Sequence, residues 1–208
     1  MKILNELIER YPVLECVKDE IAKAYEIIKT TYENGGKVLI CGNGGSASDS
    51  EHIVGELMKS FVLKRALPEK FVENLKATDE NPDDLLTGLQ GALPAISLVS
   101  HTSLMTAFMN DCDPSLVFAQ QTLGYGKEGD TLIALSTSGN SKNVLAAARV
   151  AKALNMKVVE ISGLGGGKIA KVSDAVIALP EKETYKIQEL TLPVYHALCL
   201  MIEEYFFG

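Results

Sequence analysis

His52 and Glu56 lie four residues apart in "GGSASDSEHIVGE", directly after a glycine-rich turn. If the stretch is helical, the two side chains share a face. An imidazole and a carboxylate so placed can be a metal pair, an acid–base pair or a surface ion pair, and spacing alone leaves all three open. Gln188 and His196, eight residues apart in "IQELTLPVYHALCL", again fall on roughly one helical face. His196 is set among apolar residues, where a core histidine bonded to a neighbour is the plainer reading. His101, in "LVSHTS", is the third and last histidine and reads equally well as a loop residue.

Two stretches are suited to an anion. "GNGGSASDS" (42–50) offers Asn43, Gly44, Gly45, Ser46 and Ser48; "STSGNSKN" (136–143) offers Ser136, Thr137, Ser138 and Ser141. Each follows a short apolar run and leads into a helical pattern. Ligands bind at the carboxyl ends of strands in open parallel sheets. There, glycines admit a ligand close to the backbone, and a helix N-terminus favours a phosphate. One such loop alone reads equally well as a turn with a helix cap. Two at equivalent strand ends point to phosphate. A dinucleotide site fits less well. Gly42, Gly44 and Ala47 follow the relaxed Rossmann spacing, but "SFVLKRALPEK" stands where a second strand ending in an acidic residue is needed, roughly 20 residues on. No Walker-type Gly-Lys-Ser or Gly-Lys-Thr sequence occurs. No nucleotide cofactor is therefore expected.

Positioning these groups requires strands alternating with helices. Apolar runs at 37–41, 94–100, 131–136, 157–162 and 174–180 read as strands covered on both faces. Helical spacing over 3–33, broken at Pro12 and stopped by "NGG" at 34–36, predicts two N-terminal helices. Further helices are expected over 142–154 and 183–206. This alternation implies right-handed βαβ units and an α/β fold with one parallel sheet flanked by helices. Residues 61–93 interrupt the pattern. They hold much charge, a helical middle and a turn at "DENPDD", and read as a surface insertion, part of a lid or an oligomer contact. A single domain over 1–208 is expected, with helices over 1–34 before the first strand.

The 208 residues are 47% apolar and 23% charged, as in ordinary globular proteins. No apolar run approaches the roughly 20 residues that cross a bilayer, and the start shows no export signal. The four cysteines form no CxxC and read as free thiols in a reducing cytoplasm. A net charge of −7 argues against general nucleic-acid binding.

"CGNGGSASDSEHIVGE" followed by "GDTLIALSTSGNSKNV" resembles the sugar-isomerase (SIS) family, and within it the phosphoheptose isomerase group. "HTSLMTAFMND", "VFAQQTLGYGKEGD" and "IQELTLPVYH" extend the resemblance over nearly the whole chain outside 61–93. It implies a three-layer, flavodoxin-like sandwich with a five-stranded parallel sheet, and a homotetramer with sites at subunit interfaces. It implies that Ser136, Thr137, Ser138 and Ser141 bind phosphate, with Asn43 and Ser46 lining the site. Glu56 and His196 fall on the family's catalytic glutamate and histidine. His52, Glu56, Gln188 and His196 fall on residues that hold zinc in some members.

The implied reaction is aldose–ketose isomerisation through an enediol, most closely that of sedoheptulose 7-phosphate. Glu56 would be the base and His196 the acid, with Gln188 a ligand or hydroxyl-binding group. His101 and Tyr185 stand where the family commonly has aspartates around the sugar, and the 61–93 insertion is absent from its shorter bacterial members. The alternative is a non-catalytic relative that binds a phosphosugar or a replication initiator. Retention of both Glu56 and His196 favours the enzyme.

Overall fold

The computed structural model describes all 208 residues. Helix α1 (Lys2–Arg10) is followed by a 3₁₀ turn at Pro12–Val17 and by α2 (Lys18–Glu33). Pro12 makes this break, as its position predicts. Then come β1 (Val38–Cys41), α3 (Gly45–Met58), α4 (Glu69–Thr78), α5 (Asp83–Gly88), β2 (Ala95–Ser97), α6 (Thr102–Asp111) and α7 (Val117–Tyr125). The chain closes with β3 (Thr131–Ser136), α8 (Lys142–Ala153), β4 (Lys157–Ser162), β5 (Ala175–Ala178) and α9 (Thr184–Phe207). No helix is long and apolar enough to cross a membrane.

All five strands are parallel, in the order β2-β1-β3-β4-β5. Continuous apolar runs make such strands because both faces are covered. Val38, Ile40, Ile133, Leu135, Val159 and Ile161 feed the larger core, packed by α1, α2, α3 and α9. Leu39, Cys41, Leu132, Ala134 and Val158 point the other way, to α7 and α8. The chain leaves β1 toward one side of the sheet and, from β3 onward, builds the other. The crevice above β1 and β3 is therefore the switch point where ligands bind in such sheets. The loops after β1 and β3 are the two singled out by their glycines and hydroxyls.

Several boundaries differ from the sequence expectation. The loop after β1 spans only 42–44, because "GSASDS" already forms the first turns of α3; small polar residues suit a helix start as well as a turn. His52 and Glu56 thus lie about two and three turns into the helix. The second strand run shortens to three residues. The insertion carries two helices rather than one, and neither α4 nor α5 buries a residue.

Candidate active site

At the crevice, Gly44 holds φ +58°, ψ −123°, a conformation open to glycine and strained for other residues. It starts α3 beneath the loop. Asn43 Nδ2 donates to Asn143 Oδ1 at 3.0 Å and Asn143 Nδ2 donates to Asn43 Oδ1 at 2.8 Å, so a paired amide ties the two loops together. In the second loop, Ser136 and Ser141 hydroxyls stand 2.9 Å apart and the Ser138 hydroxyl accepts the Asn140 N–H. Thr137 is half-buried and Ser138 exposed at the rim. Two of the Asn143 amide contacts were not singled out by the sequence, although Asn143 lies within the loop that was.

Gly45 sets where α9 meets α3. A Cβ there would lie 2.4 Å from Gln188 Nε2, so the bare glycine admits the Gln188 amide to the helix start. Pro193 interrupts the backbone ladder of α9 between Gln188 and His196 without ending the helix.

Further along the α3–α9 seam, the reactive groups gather. His52 Nε2 lies 3.1 Å from Glu56 Oε1, confirming the shared face that i,i+4 spacing requires. The His52 and His196 rings stand edge to face, 5.1 Å between centroids, which brings the two histidines of separate helices together. Tyr195 O–H lies 2.9 Å from His52 Nδ1 and 3.3 Å from Asp49 Oδ1. Lys59 Nζ donates to Glu56 Oε2 at 3.2 Å. His196 is not a satisfied core histidine: its buried Nε2 has no partner in the protein. Burial, and then the neighbouring His52, push its pKa below the ordinary histidine value, while Glu56 pulls the other way. Burial likewise raises the Tyr195 hydroxyl and the Asp49 carboxyl. Neither Asp49 nor Tyr195 was flagged by the sequence, though Asp49 is three residues before His52 on α3 and Tyr195 adjoins His196.

His101 precedes α6 and packs beside Tyr125, 5.3 Å between ring centroids, with its Nε2 buried and unpartnered. His52, Glu56, Gln188 and His196 carry donor types that zinc accepts. As arranged they do not make a ready metal centre. No three His, Cys, Asp or Glu side chains converge on one ion position, and both His52 nitrogens already face partners.

The geometry can therefore seat an anion across two tied loops and present a carboxylate beside two imidazoles on the adjoining helix seam. Models of the SIS domain match residues 4–82 and 98–201. The chain is 39% identical over 193 residues to a phosphoheptose isomerase of Helicobacter pylori, covering 93% of this chain and 88% of that one. Among solved structures, a phosphoheptose isomerase from Neisseria gonorrhoeae superposes with a TM-score of 0.75 at 30% identity, covering 96% of this chain and 94% of the other. One from Francisella tularensis gives 0.77 at 30% identity, covering 94% and 91%. The chain belongs to the SIS domain family and, within it, to the group of the phosphoheptose isomerases.

Proposed function

We propose that this chain is an aldose–ketose isomerase that interconverts sedoheptulose 7-phosphate and D-glycero-D-manno-heptose 7-phosphate through an enediol. The observation that carries the reading is the gathering of Glu56, His52 and His196 on the α3–α9 seam, below two loops tied across the sheet's switch point. The relatives named above support the same reading of the substrate. The phosphate would sit against Ser136, Thr137, Ser138 and Ser141, with Asn43, Gly44, Gly45 and Ser46 closing the crevice and Gln188 holding a sugar hydroxyl.

Isomerisation moves one proton between adjacent carbons and one between their oxygens. Glu56 takes the proton from the ketose hydroxymethyl carbon, and the electron pair forms the enediol double bond. His196, with Nε2 free of protein partners, serves the oxygens: it gives a proton to the carbonyl oxygen and accepts one from the neighbouring hydroxyl. Glu56 then returns its proton to the former carbonyl carbon. Such positioned acid–base groups contribute about 10²–10⁴-fold each.

Zinc belongs to the proposal at the level of donor chemistry. His52, Glu56, Gln188 and His196 would hold it only after their side chains turn toward a common position, and a bound ion would polarise the substrate's carbonyl and hydroxyl oxygens. The proton steps above are assigned to protein groups alone. A homotetramer in the cytoplasm completes the reading; all four cysteines are free thiols, as a reducing compartment allows.

The test is NMR of the purified protein with sedoheptulose 7-phosphate in D₂O, before and after zinc is added. Aldose signals, with deuterium entering beside the carbonyl, are expected. Glu56→Gln and His196→Ala should each lower turnover by at least about 10²-fold while leaving the fold intact. Line broadening of the sugar without conversion, with or without zinc, would overturn the enzyme in favour of a phosphosugar-binding protein.

A further inference from the structure

Arg65 belongs to no motif and lies in the charged insertion, yet it is only 2% exposed. A buried arginine is rare unless its donors are met. Here Nε donates to Glu203 Oε1 at 2.8 Å, Nη1 to the Leu57 carbonyl at 2.6 Å and Nη2 to the Glu56 carbonyl at 2.7 Å. Those carbonyls belong to the last turn of α3, where intrahelical donors run out. A full cation therefore closes the negative end of the helix that carries His52 and Glu56.

Glu203, on α9, is equally engaged. Besides Arg65 it accepts the N–H groups of Phe61 and Val62, each at 2.8 Å, and Leu63 at 3.1 Å. The chain at 61–65 is thus wound around one carboxylate. Phe61, fixed by that winding, lays its ring against His196 with centroids 5.4 Å apart. The insertion also returns to this point, with Gly91 N–H donating to the Arg65 carbonyl at 3.3 Å.

We infer that Arg65 and Glu203 are positioning residues that set Glu56 against His196. Arg65 holds Glu56 by its own carbonyl, and Glu203 holds His196 through Phe61. Neither touches the substrate. The inference rests on the reading of Glu56 and His196 as base and acid. It needs arginine specifically: the guanidinium is a rigid planar fork that reaches two carbonyls and a carboxylate at once. A lysine ammonium can answer Glu203 without spanning the helix end. A misplacement of about 1 Å is enough to cost about 10²-fold in rate, so the effect belongs in turnover and not in affinity for the phosphate end.

The test uses the full chain with Arg65→Lys, and Arg65→Ala as the harsher change. Thermal unfolding, sedoheptulose 7-phosphate kinetics and the ring resonances of the three histidines are measured together. Arg65→Lys should stay folded, keep KM within about twofold and lose at least about tenfold in kcat. Added guanidinium should restore part of the kcat of Arg65→Ala, and methylammonium should not. Unchanged kcat in Arg65→Lys, or a loss that merely follows the folded fraction, overturns the inference. If the wild-type protein does not turn over, the functional reading fails by itself. The histidine resonances then decide the geometry: His52 and His196 should shift in Arg65→Lys while His101 stays, and three unmoved resonances overturn the positioning role.

Discussion

Glu160 shows how one side chain can set a pH dependence without entering the site. It is 0% exposed in the middle of β4, one carboxyl oxygen has no partner, and the other receives only a long 3.5 Å contact from the Ser173 hydroxyl. Burial pushes its pKa up to about 7. Between the ordinary carboxyl value and that point, the unfolded chain has lost the proton and the native state keeps it. Stability therefore falls as pH rises through this window and levels off above about pH 7, by a total on the order of 3 kcal/mol. Glu160→Gln removes the titration. The variant should melt close to wild type at pH 5 and several degrees higher at pH 8, at about 2–4 °C per kcal/mol for a chain this long. An offset in melting temperature that stays constant from pH 5 to 8 would show that Glu160 does not titrate in this range. At this scale the sequence showed what lies within one helix. His52 and Glu56 share a face by spacing alone, but the approach of His196 depends on how α3 meets α9. Arg65 carried no signal, because an arginine among lysines and glutamates reads as solvated until its partner 138 residues away is known.

The elements were legible where periodicity is strong and obscure where two local solutions compete. Strand runs such as "TLIALS" and "KVVEIS" match β3 and β4 residue for residue, because a strand covered on both faces reads as a near-continuous apolar run, with Glu160 the buried exception in β4. The start of α3 was blurred by serines that serve turn and helix alike. The loop after β3 shows what sequence cannot report, namely its backing. Gly139 has φ +61°, and a Cβ there would lie 1.9 Å from the Gly166 carbonyl oxygen. Ile169 N–H also donates to the Gly139 carbonyl at 3.0 Å, so the loop after β4 braces the proposed phosphate loop from behind. Gly139→Ala meets both a disfavoured φ and an unyielding backbone, and should cost about 1–3 kcal/mol. Calorimetric affinity for sedoheptulose 7-phosphate should fall with it, by at least about tenfold given the loop's displacement. Gly55→Ala is the matched control, since its Cβ meets nothing within 4 Å in the interior of α3. It should be neutral or stabilising by up to about 1 kcal/mol. If both alanines bind and melt alike, the brace has no role.

Across the whole molecule, the apolar surface is unevenly covered. The layered core accounts for both faces of the sheet, yet α6 buries none of its residues. Leu104, Met109, Leu116 and Leu123 stand 37–56% exposed on α6, α7 and the turn between them. On another side, a cleft of about 200 Å³ between α1 and α9 runs past His196, lined by Leu7, Tyr11 and Leu192 with Glu6 and Arg10 at hand. Scattered exposed leucines are ordinary, but four large apolar side chains along one stretch that includes a helix without buried residues suit a surface that another chain covers. The proposed homotetramer gives that surface a use, and a net charge of −7 per chain is too small to oppose it. Placing charge at Leu104 and Leu123 together tests this, because both side chains already face outward and such surface changes usually alter monomer stability by no more than about 0.5 kcal/mol. Sedimentation equilibrium of the wild type at micromolar concentration should give a multiple of the 22.5 kDa chain mass. The Leu104→Glu, Leu123→Glu double variant should give a smaller multiple with unchanged far-ultraviolet circular dichroism. A wild type that sediments at one chain mass would remove the oligomer from the proposal and leave Leu104 and Leu123 as bare surface. If instead the double variant dissociates and also loses turnover while Glu56, His52 and His196 keep their ring and carboxylate resonances, the site depends on what the neighbouring copy contributes to the crevice.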